Sequence, residues 1–346
     1  MDANKPLVIA GPCSVESRQQ LSDTLDQLAR VDSLSMVRCG VWKPRTRPGG
    51  FEGLGEKALA WIAEEAQKHP TLQFACEVAR PKHVALALQY GIKAVWVGAR
   101  TTANPFMVQE LAEAMRGCDL RVMVKNAPNP DVMLWMGAIE RFRKAEATEV
   151  YAIHRGFDIR NNGGYRNAPL WEVPMELRRN MPEVPIICDP SHIAGRREPL
   201  MELAQTAMDL GFDGLMIEVH ANPDQALTDA QQQITPMQLA TLLGHLTLRQ
   251  TDSTIADEQL RLMRNQIDQV DEQLLQLLAN RLTVSSQIAQ VKAQGNLAVF
   301  QPKRWEQVLQ NRMNMAERMG VNTEFVKELF EKIHAESVRV QQEIIK

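Results

Sequence analysis

The chain has 346 residues, 45% of them hydrophobic and 23% charged, with a formal net charge of −3. That length accommodates one large domain and a smaller one, and so balanced a charge supplies no global basic field for nucleic acid or an anionic membrane. No run approaches the ~20 apolar residues that a membrane-spanning helix needs, and the opening residues carry no signal-peptide pattern. Cys13, Cys39, Cys76, Cys118 and Cys188 are the only cysteines and form no C-x-x-C pair. That usage suits a reducing cytoplasm better than a disulfide framework.

From Leu7 to about Leu248, short apolar runs alternate with amphipathic stretches of helical period. The runs are Leu7–Ala10, Met36–Gly40, Phe74–Glu77, Ala94–Val97, Arg121–Lys125, Val150–His154, Pro185–Asp189 and Leu215–Val219. Apolar on both faces, they read as buried parallel strands. Helical patterns such as Glu56–Lys68, Pro105–Met115 and Pro199–Leu210 lie between them. Gly91, Gly117 and Gly211 follow helical runs where a left-handed residue is wanted. Pro105, Pro199 and Pro236 sit where a first-turn proline is tolerated. Eight such units in about 240 residues fit a (β/α)8 barrel, with a doubly wound open sheet as the alternative.

The pattern changes after a polar linker at 249–256, where Asp252, Ser253 and Thr254 offer helix N-caps. Leu260, Met263, Ile267, Val270, Leu274, Leu277, Val284, Ile288 and Val291 then recur at three- and four-residue steps. Arg281 fills the one gap. Gly295-Asn296 ends this helix of about 38 residues, about 57 Å long. A second helix opens at Pro302 and runs to Met319-Gly320, and a third runs from Thr323 to the end. Residues 1–248 are therefore expected to form the barrel and 257–346 an all-α three-helix domain. A helix so long cannot cover its own apolar stripe, so the same helix of a second chain is the expected partner, in an intertwined homodimer.

In such a barrel the reacting groups stand at the C-terminal strand ends. Those ends deliver Cys13, Arg38 with Lys43 and Arg45, Glu77, Arg100, Lys125, Arg155, His192 and Glu218. Buried cations demand anionic partners, and a cluster of Lys and Arg fits substrates rich in phosphate and carboxylate. Cys13, His192, Glu218 and Asp229 form a second set with metal-ligand chemistry. Taken singly, Cys13 could be a small buried hydrophobe, His192 an N-cap and Asp229 a solvated loop carboxylate. Together they suit Mn²⁺, with Fe²⁺, Co²⁺ or Zn²⁺ as alternatives, and the thiol argues against Mg²⁺ or Ca²⁺. His154 reads as a structural histidine. A loose G-x-G-x-x-A match at Gly53–Ala58 follows a loop rather than a strand-to-helix turn, so no nucleotide cofactor is expected.

Gly11-Pro12-Cys13-Ser14, Lys43-Pro44-Arg45-Thr46, Gly98-Ala99-Arg100-Thr101, Asp189-Pro190-Ser191-His192 and Glu218-Val219-His220 occur in the order seen in 3-deoxy-D-arabino-heptulosonate 7-phosphate (DAHP) synthases. The region over about 5–248 resembles that family. The resemblance implies a metal on Cys13, His192, Glu218 and Asp229. It implies phosphoenolpyruvate on Arg38, Lys43, Arg100, Lys125 and Arg155, and erythrose 4-phosphate on Arg45 and Thr46. Lys43, Lys125 and His192 would be the catalytic groups of an aldol-like condensation. Synthases of the related octulosonate 8-phosphate share the barrel and metal set but differ at the Lys-Pro-Arg-Thr motif.

Periodicity alone allows the tail to be a dimerisation coiled coil, yet a guanidinium in an apolar seam is costly unless an anion meets it. Arg264 and Lys292 lie about 42 Å apart along the helix, a distance that antiparallel chains could close. Arg264, Arg281, Lys292, Arg304, Ser337 and Gln341 fall at spacings similar to those of the small all-helical chorismate mutases. That resemblance implies that Arg281, Arg304 and the second chain's Arg264 grip the carboxylates of chorismate. It also implies that Lys292 and Gln341 act catalytically on the ether oxygen. Gln301 and Trp305 stand where some members carry carboxylates. A tail that senses chorismate or prephenate without turnover is the competing reading, and restraint of the barrel by prephenate is a further expectation.

Overall fold

Eight short runs of β-branched and apolar residues form parallel strands: β1 (Leu7–Gly11), β2 (Met36–Cys39), β3 (Phe74–Val78), β4 (Ala94–Val97), β5 (Arg121–Lys125), β6 (Glu149–His154), β7 (Ile186–Cys188) and β8 (Gly214–Glu218). The computed structural model describes residues 5–43, 49–160, 162–249 and 257–345. The strands close in chain order, and β1 pairs directly with β8 in the register Leu7↔Gly214 to Gly11↔Glu218. Closure removes both sheet edges and with them the open-sheet alternative.

Strand alternation sorts the side chains into two cores. Ile9, Met36, Ala75, Ala94, Trp96, Met123, Tyr151, Ile153, Ile187 and Met216 fill the barrel. Their neighbours Ala10, Val37, Cys76, Val95, Val122, Ala152, Ile186 and Leu215 face the helical layer. Gly11 closes β1 at φ +152°, and a Cβ there would stand 2.2 Å from the Arg38 carbonyl oxygen. Only glycine lets β1 and β2 approach so closely.

The surrounding helices begin at conventional caps. Ser17, Asn104, Asp131 and Thr235 accept from first-turn backbone N–H groups, and Thr235 forms a capping box with Gln238. Each cap satisfies a donor that the helix leaves open. Pro105 and Pro236 occupy first helical positions, whereas Pro199 is itself the cap of Leu200–Asp209. Gly91, Gly117 and Gly211 adopt φ of +76°, +71° and +71° after helices, as their positions imply.

The chain divides into two compact units, Met1–Thr251 and Asp252–Lys346. The second holds helices at Asp257–Gln294 (38 residues), Pro302–Met319 and Thr323–Ile345. The third helix packs against both others. Its contact with the first runs along a stripe around Arg281, Ser285, Ala289 and Lys292, of which Ser285 and Ala289 are buried. The long apolar seam from Leu260 to Val291 is not that stripe and stands exposed, Met263 and Leu277 by 60% and 64%. The expected caps Asp252, Ser253 and Thr254 lie outside the described residues.

Trp135 joins the helix Val132–Lys144 to the barrel: it is fully buried and its Nε1 donates to the Val124 carbonyl at 2.9 Å. Trp135→Ala should lower barrel stability by about 3–5 kcal/mol. Urea unfolding followed by circular dichroism checks this, and an unchanged midpoint would contradict the packing.

Candidate active sites

The inward positions of the strands change character at the C-terminal end. Two residues beyond the inward Met36, Ala75, Met123, Ile153, Ile187 and Met216 come Arg38, Glu77, Lys125, Arg155, Asp189 and Glu218. Period-2 geometry therefore lifts a ring of charge directly above the apolar plug. Above it opens a cavity of about 600 Å³ lined by Lys43, Arg100, Lys125, Arg155 and Arg166, by Glu77, Asp158 and Asp229, and by Asn167 and His192. A Cβ on Gly98 would stand 2.2 Å from Glu77 Oε1, so glycine there makes room for that carboxylate.

Ligand atoms of Cys13, Glu218 and Asp229 lie within 4.8 Å of one another, the metal-compatible group found among the described residues. Cys13 Sγ is 3.2 Å from Asp229 Oδ2. His192 stands beside this group rather than within it, its Nε2 3.7 Å from Glu218 Oε1. Burial, Glu218 and Asp229 push the Cys13 thiol up to about 12, with Lys43 and Arg38 opposing. Burial acts to raise Glu218, but Arg38, His192 and Lys43 outweigh it and hold the carboxyl below its usual range. Glu218 Oε2 accepts from Gln232 Nε2 at 2.7 Å, while buried Oε1 has no hydrogen bond and meets Arg38 Nη2 at 3.0 Å besides His192. A sulfur, two carboxylates, a nearby imidazole and an unmatched buried oxygen fit a borderline transition metal.

Arg38 is almost completely buried, with its guanidinium 5.0 Å above the Trp96 ring, and it does not line the cleft itself. Its Nε and Nη1 lack hydrogen-bond partners, leaving two donors in a layer where anions are needed. Arg155 is aimed by two asparagines: Asn126 Oδ1 accepts from its backbone N–H and Asn167 Oδ1 from its Nη1, both at 2.8 Å. Asn126 thus ties the end of β5 to that of β6. Arg45 and Thr46 lie outside the described residues.

Two residues of this site escaped the sequence reading. Asp189 is fully buried; it accepts from Lys125 Nζ at 2.7 Å and from the His192 backbone N–H at 3.1 Å, and lies 2.8 Å from His192 Nδ1. Burial acts to raise its carboxyl, but His192 and Lys125 hold it well below the usual range. Continuing the strand alternation from Ile187 would have found it. Arg166 pairs with Asp229 at 3.0 Å and donates to Gln232 Oε1 at 2.7 Å. It comes from a loop, where no periodic signal exists. His154 lies on the outer face of β6 among Phe157, Trp171 and Phe212. Burial, with Arg155 nearby, lowers its imidazole to about 3.

The helical unit gathers four of its expected residues. Arg281 Nη1 donates to Ser337 Oγ, and Lys292 Nζ donates to Gln341 Oε1 at 3.0 Å. Ser337 and Gln341 are buried. Burial, and for Arg281 also Arg312, lowers both cations below their ordinary ranges. An anion would reverse that shift. Arg304 lies exposed in the first turn of Pro302–Met319, and Arg264 is exposed on the long helix, away from the other four.

Residues 2–255 match the DAHP synthetase I family and residues 263–342 match chorismate mutase type II. Among curated proteins, phospho-2-dehydro-3-deoxyheptonate aldolase of Thermotoga maritima is 29% identical over 227 residues, 66% of this chain and 64% of that protein. The chain thus spans a little under two-thirds of that relative's length. The T-protein of Haemophilus influenzae is 35% identical over 80 residues, 23% of this chain and 21% of its own. The crystal structure of the Thermotoga maritima aldolase (DAHP synthase) superposes with a TM-score of 0.62 at 26% identity, covering 70% of this chain and 68% of that one. With the matched family spanning its whole barrel, the chain belongs to the DAHP synthetase I family and carries a chorismate mutase type II domain after the barrel.

Proposed function

We propose that the chain catalyses two reactions at separate sites: condensation of phosphoenolpyruvate with erythrose 4-phosphate to DAHP and phosphate in the barrel, and rearrangement of chorismate to prephenate in the tail. The observation that carries the first is the convergence of five cations on one cleft beside a thiol–carboxylate cluster. Those cations outnumber the carboxylates Glu77, Asp158 and Asp229 that line the same cleft, a surplus that suits multiply anionic substrates. We assign residues 1–248 to the synthase, 249–256 to a linker and 257–346 to the mutase.

Lys43, Arg100, Lys125 and Arg155 grip the phosphate and carboxylate of phosphoenolpyruvate, with the two unpaired donors of Arg38 beneath them. Arg45 and Thr46 take erythrose 4-phosphate. Fixing two multiply charged reactants side by side offsets their repulsion and the entropy of bringing them together. A divalent ion held by Cys13, His192, Glu218 and Asp229, Mn²⁺ foremost with Fe²⁺, Co²⁺ or Zn²⁺ as alternatives, would supply Lewis-acid polarisation of the aldehyde. Asp189 orients His192 and holds Lys125.

In the tail, Arg281 and Arg304 meet the two carboxylates of chorismate, and Lys292 and Gln341 stabilise the ether oxygen as it gains charge. Ser337 orients Arg281. Arg264 reaches a site only from a second chain, and the exposed seam from Leu260 to Val291 supports a homodimer through the long helices. Prephenate is the proposed feedback regulator of the barrel, in a cytoplasmic setting.

Two assays on each variant test the assignment. Cys13→Ala, or removal of the metal by chelation, should bring phosphoenolpyruvate consumption to background while chorismate turnover stays within about twofold. Arg281→Ala should lower kcat/KM for chorismate by about 10²–10³ and spare the condensation. Loss of both activities from either change, with the fold intact, would contradict separate sites. Turnover of arabinose 5-phosphate in preference to erythrose 4-phosphate would move the barrel to octulosonate synthesis, and a tail that binds chorismate without converting it would be a sensor.

Asp189→Asn should weaken metal retention by about 10–100-fold, the range for groups that orient a metal-ligating histidine. Equilibrium dialysis followed by elemental analysis measures this. Wild-type retention would contradict the positioning role.

A further inference from the structure

Among the described residues of the helical unit, His334 Nε2 is the one side-chain nitrogen or oxygen that is shielded from water and has no hydrogen-bond partner. His334, Ser337 and Gln341 follow one another at three- and four-residue steps, hence on one stripe of Thr323–Ile345. The other two are committed. Ser337 Oγ accepts from Arg281 and donates to the Ile333 carbonyl at 2.9 Å, while Gln341 Oε1 accepts from Lys292.

The His334 ring is held in a fixed plane. It stacks on Trp305 with centroids 4.0 Å apart and planes 11° from parallel, and the Phe300 ring lies 5.8 Å away. Burial, then Arg281 and Lys292, push its imidazole below the ordinary range. It is therefore uncharged near neutrality, and with its single proton on Nδ1 it presents Nε2 as an acceptor, the state the proposal requires. Arg281 and Lys292 can only donate. Chorismate carries two carboxylates and an ether oxygen that need donors, and a ring hydroxyl that needs an acceptor.

We propose that His334 is a ligand-contacting residue of the tail site, accepting a hydrogen bond from the ring hydroxyl of the bound dicarboxylate while Trp305 holds its ring in place. This rests on the chorismate reading above and extends it to the group that sets the ligand's orientation. Sequence spacing could not single out His334, because an imidazole at a helix–helix contact is ordinarily a packing residue.

Full-length wild type and His334→Phe are compared on chorismate and on its analogue with hydrogen in place of the ring hydroxyl. Phenylalanine keeps a flat ring against Trp305 and removes the acceptor. His334→Phe should lose about tenfold in kcat/KM on chorismate and differ from wild type by no more than about twofold on the deoxy analogue. His334→Gln, which keeps an acceptor, should recover most of the loss on chorismate. An equal loss on both substrates would mean a structural role and overturn the proposal, as would no loss on chorismate. If the phenylalanine variant does not fold, His334→Leu carries the same comparison. Wild type inert towards chorismate would instead sink the underlying reading, an outcome distinct from the other two.

Discussion

Charged groups can occupy a water-poor layer only when each meets an opposite charge or a ligand, and that requirement organises the top of this barrel. The Arg38–Glu218 pair is its centre. Both side chains are at most 1% exposed, with 3.0 Å between nitrogen and oxygen. Removing one partner of such a pair strands the other, at a cost of about 3–5 kcal/mol. Lys125 at the end of β5 and Asp189 just beyond β7 repeat the arrangement at 2.7 Å across the intervening β6. The matching is incomplete: Arg38 Nε and Nη1 lack hydrogen-bond partners, and Glu218 Oε1 has ion-pair contacts but no hydrogen bond. On the proposed function a phosphorylated carboxylate and a metal would complete these atoms, and stability and binding would then draw on the same groups.

The helical unit meets the opposite constraint. A unit of this size buries too little surface on its own to cover a helix of 38 residues. Its internal contact uses small residues, Ser285 and Ala289, so that Arg281 and Lys292 can reach across to the third helix. The large apolar residues are left for another surface. The two faces of one helix thus divide the work, one building a polar cluster and the other remaining open to association.

Most of the barrel was legible because buried parallel strands are near-continuous apolar runs, and their bounds fell within a residue or two of Leu7–Gly11, Ala94–Val97 and Arg121–Lys125. The rim was legible because charge at the end of an apolar run is costly and therefore conspicuous. Asp189 was passed over although it closes the run Pro185–Asp189, because attention went to the imidazole of His192 and the alternation was not continued inward from Ile187. Arg166 had no signal, since a loop carries no period that aims a side chain. In the tail, hydropathy drew attention to the large residues of the exposed seam. The stripe that packs within the unit, built on serine and alanine, has almost no hydropathic contrast.

The most direct test of the account is the stoichiometry of phosphoenolpyruvate loss and phosphate release by metal-stripped chain, with erythrose 4-phosphate and Mn²⁺ added separately and together. The account predicts that both signals appear in a one-to-one ratio only when metal and aldehyde are both present. No loss of phosphoenolpyruvate with any of Mn²⁺, Fe²⁺, Co²⁺ or Zn²⁺, or phosphate release that does not need the aldehyde, would contradict it.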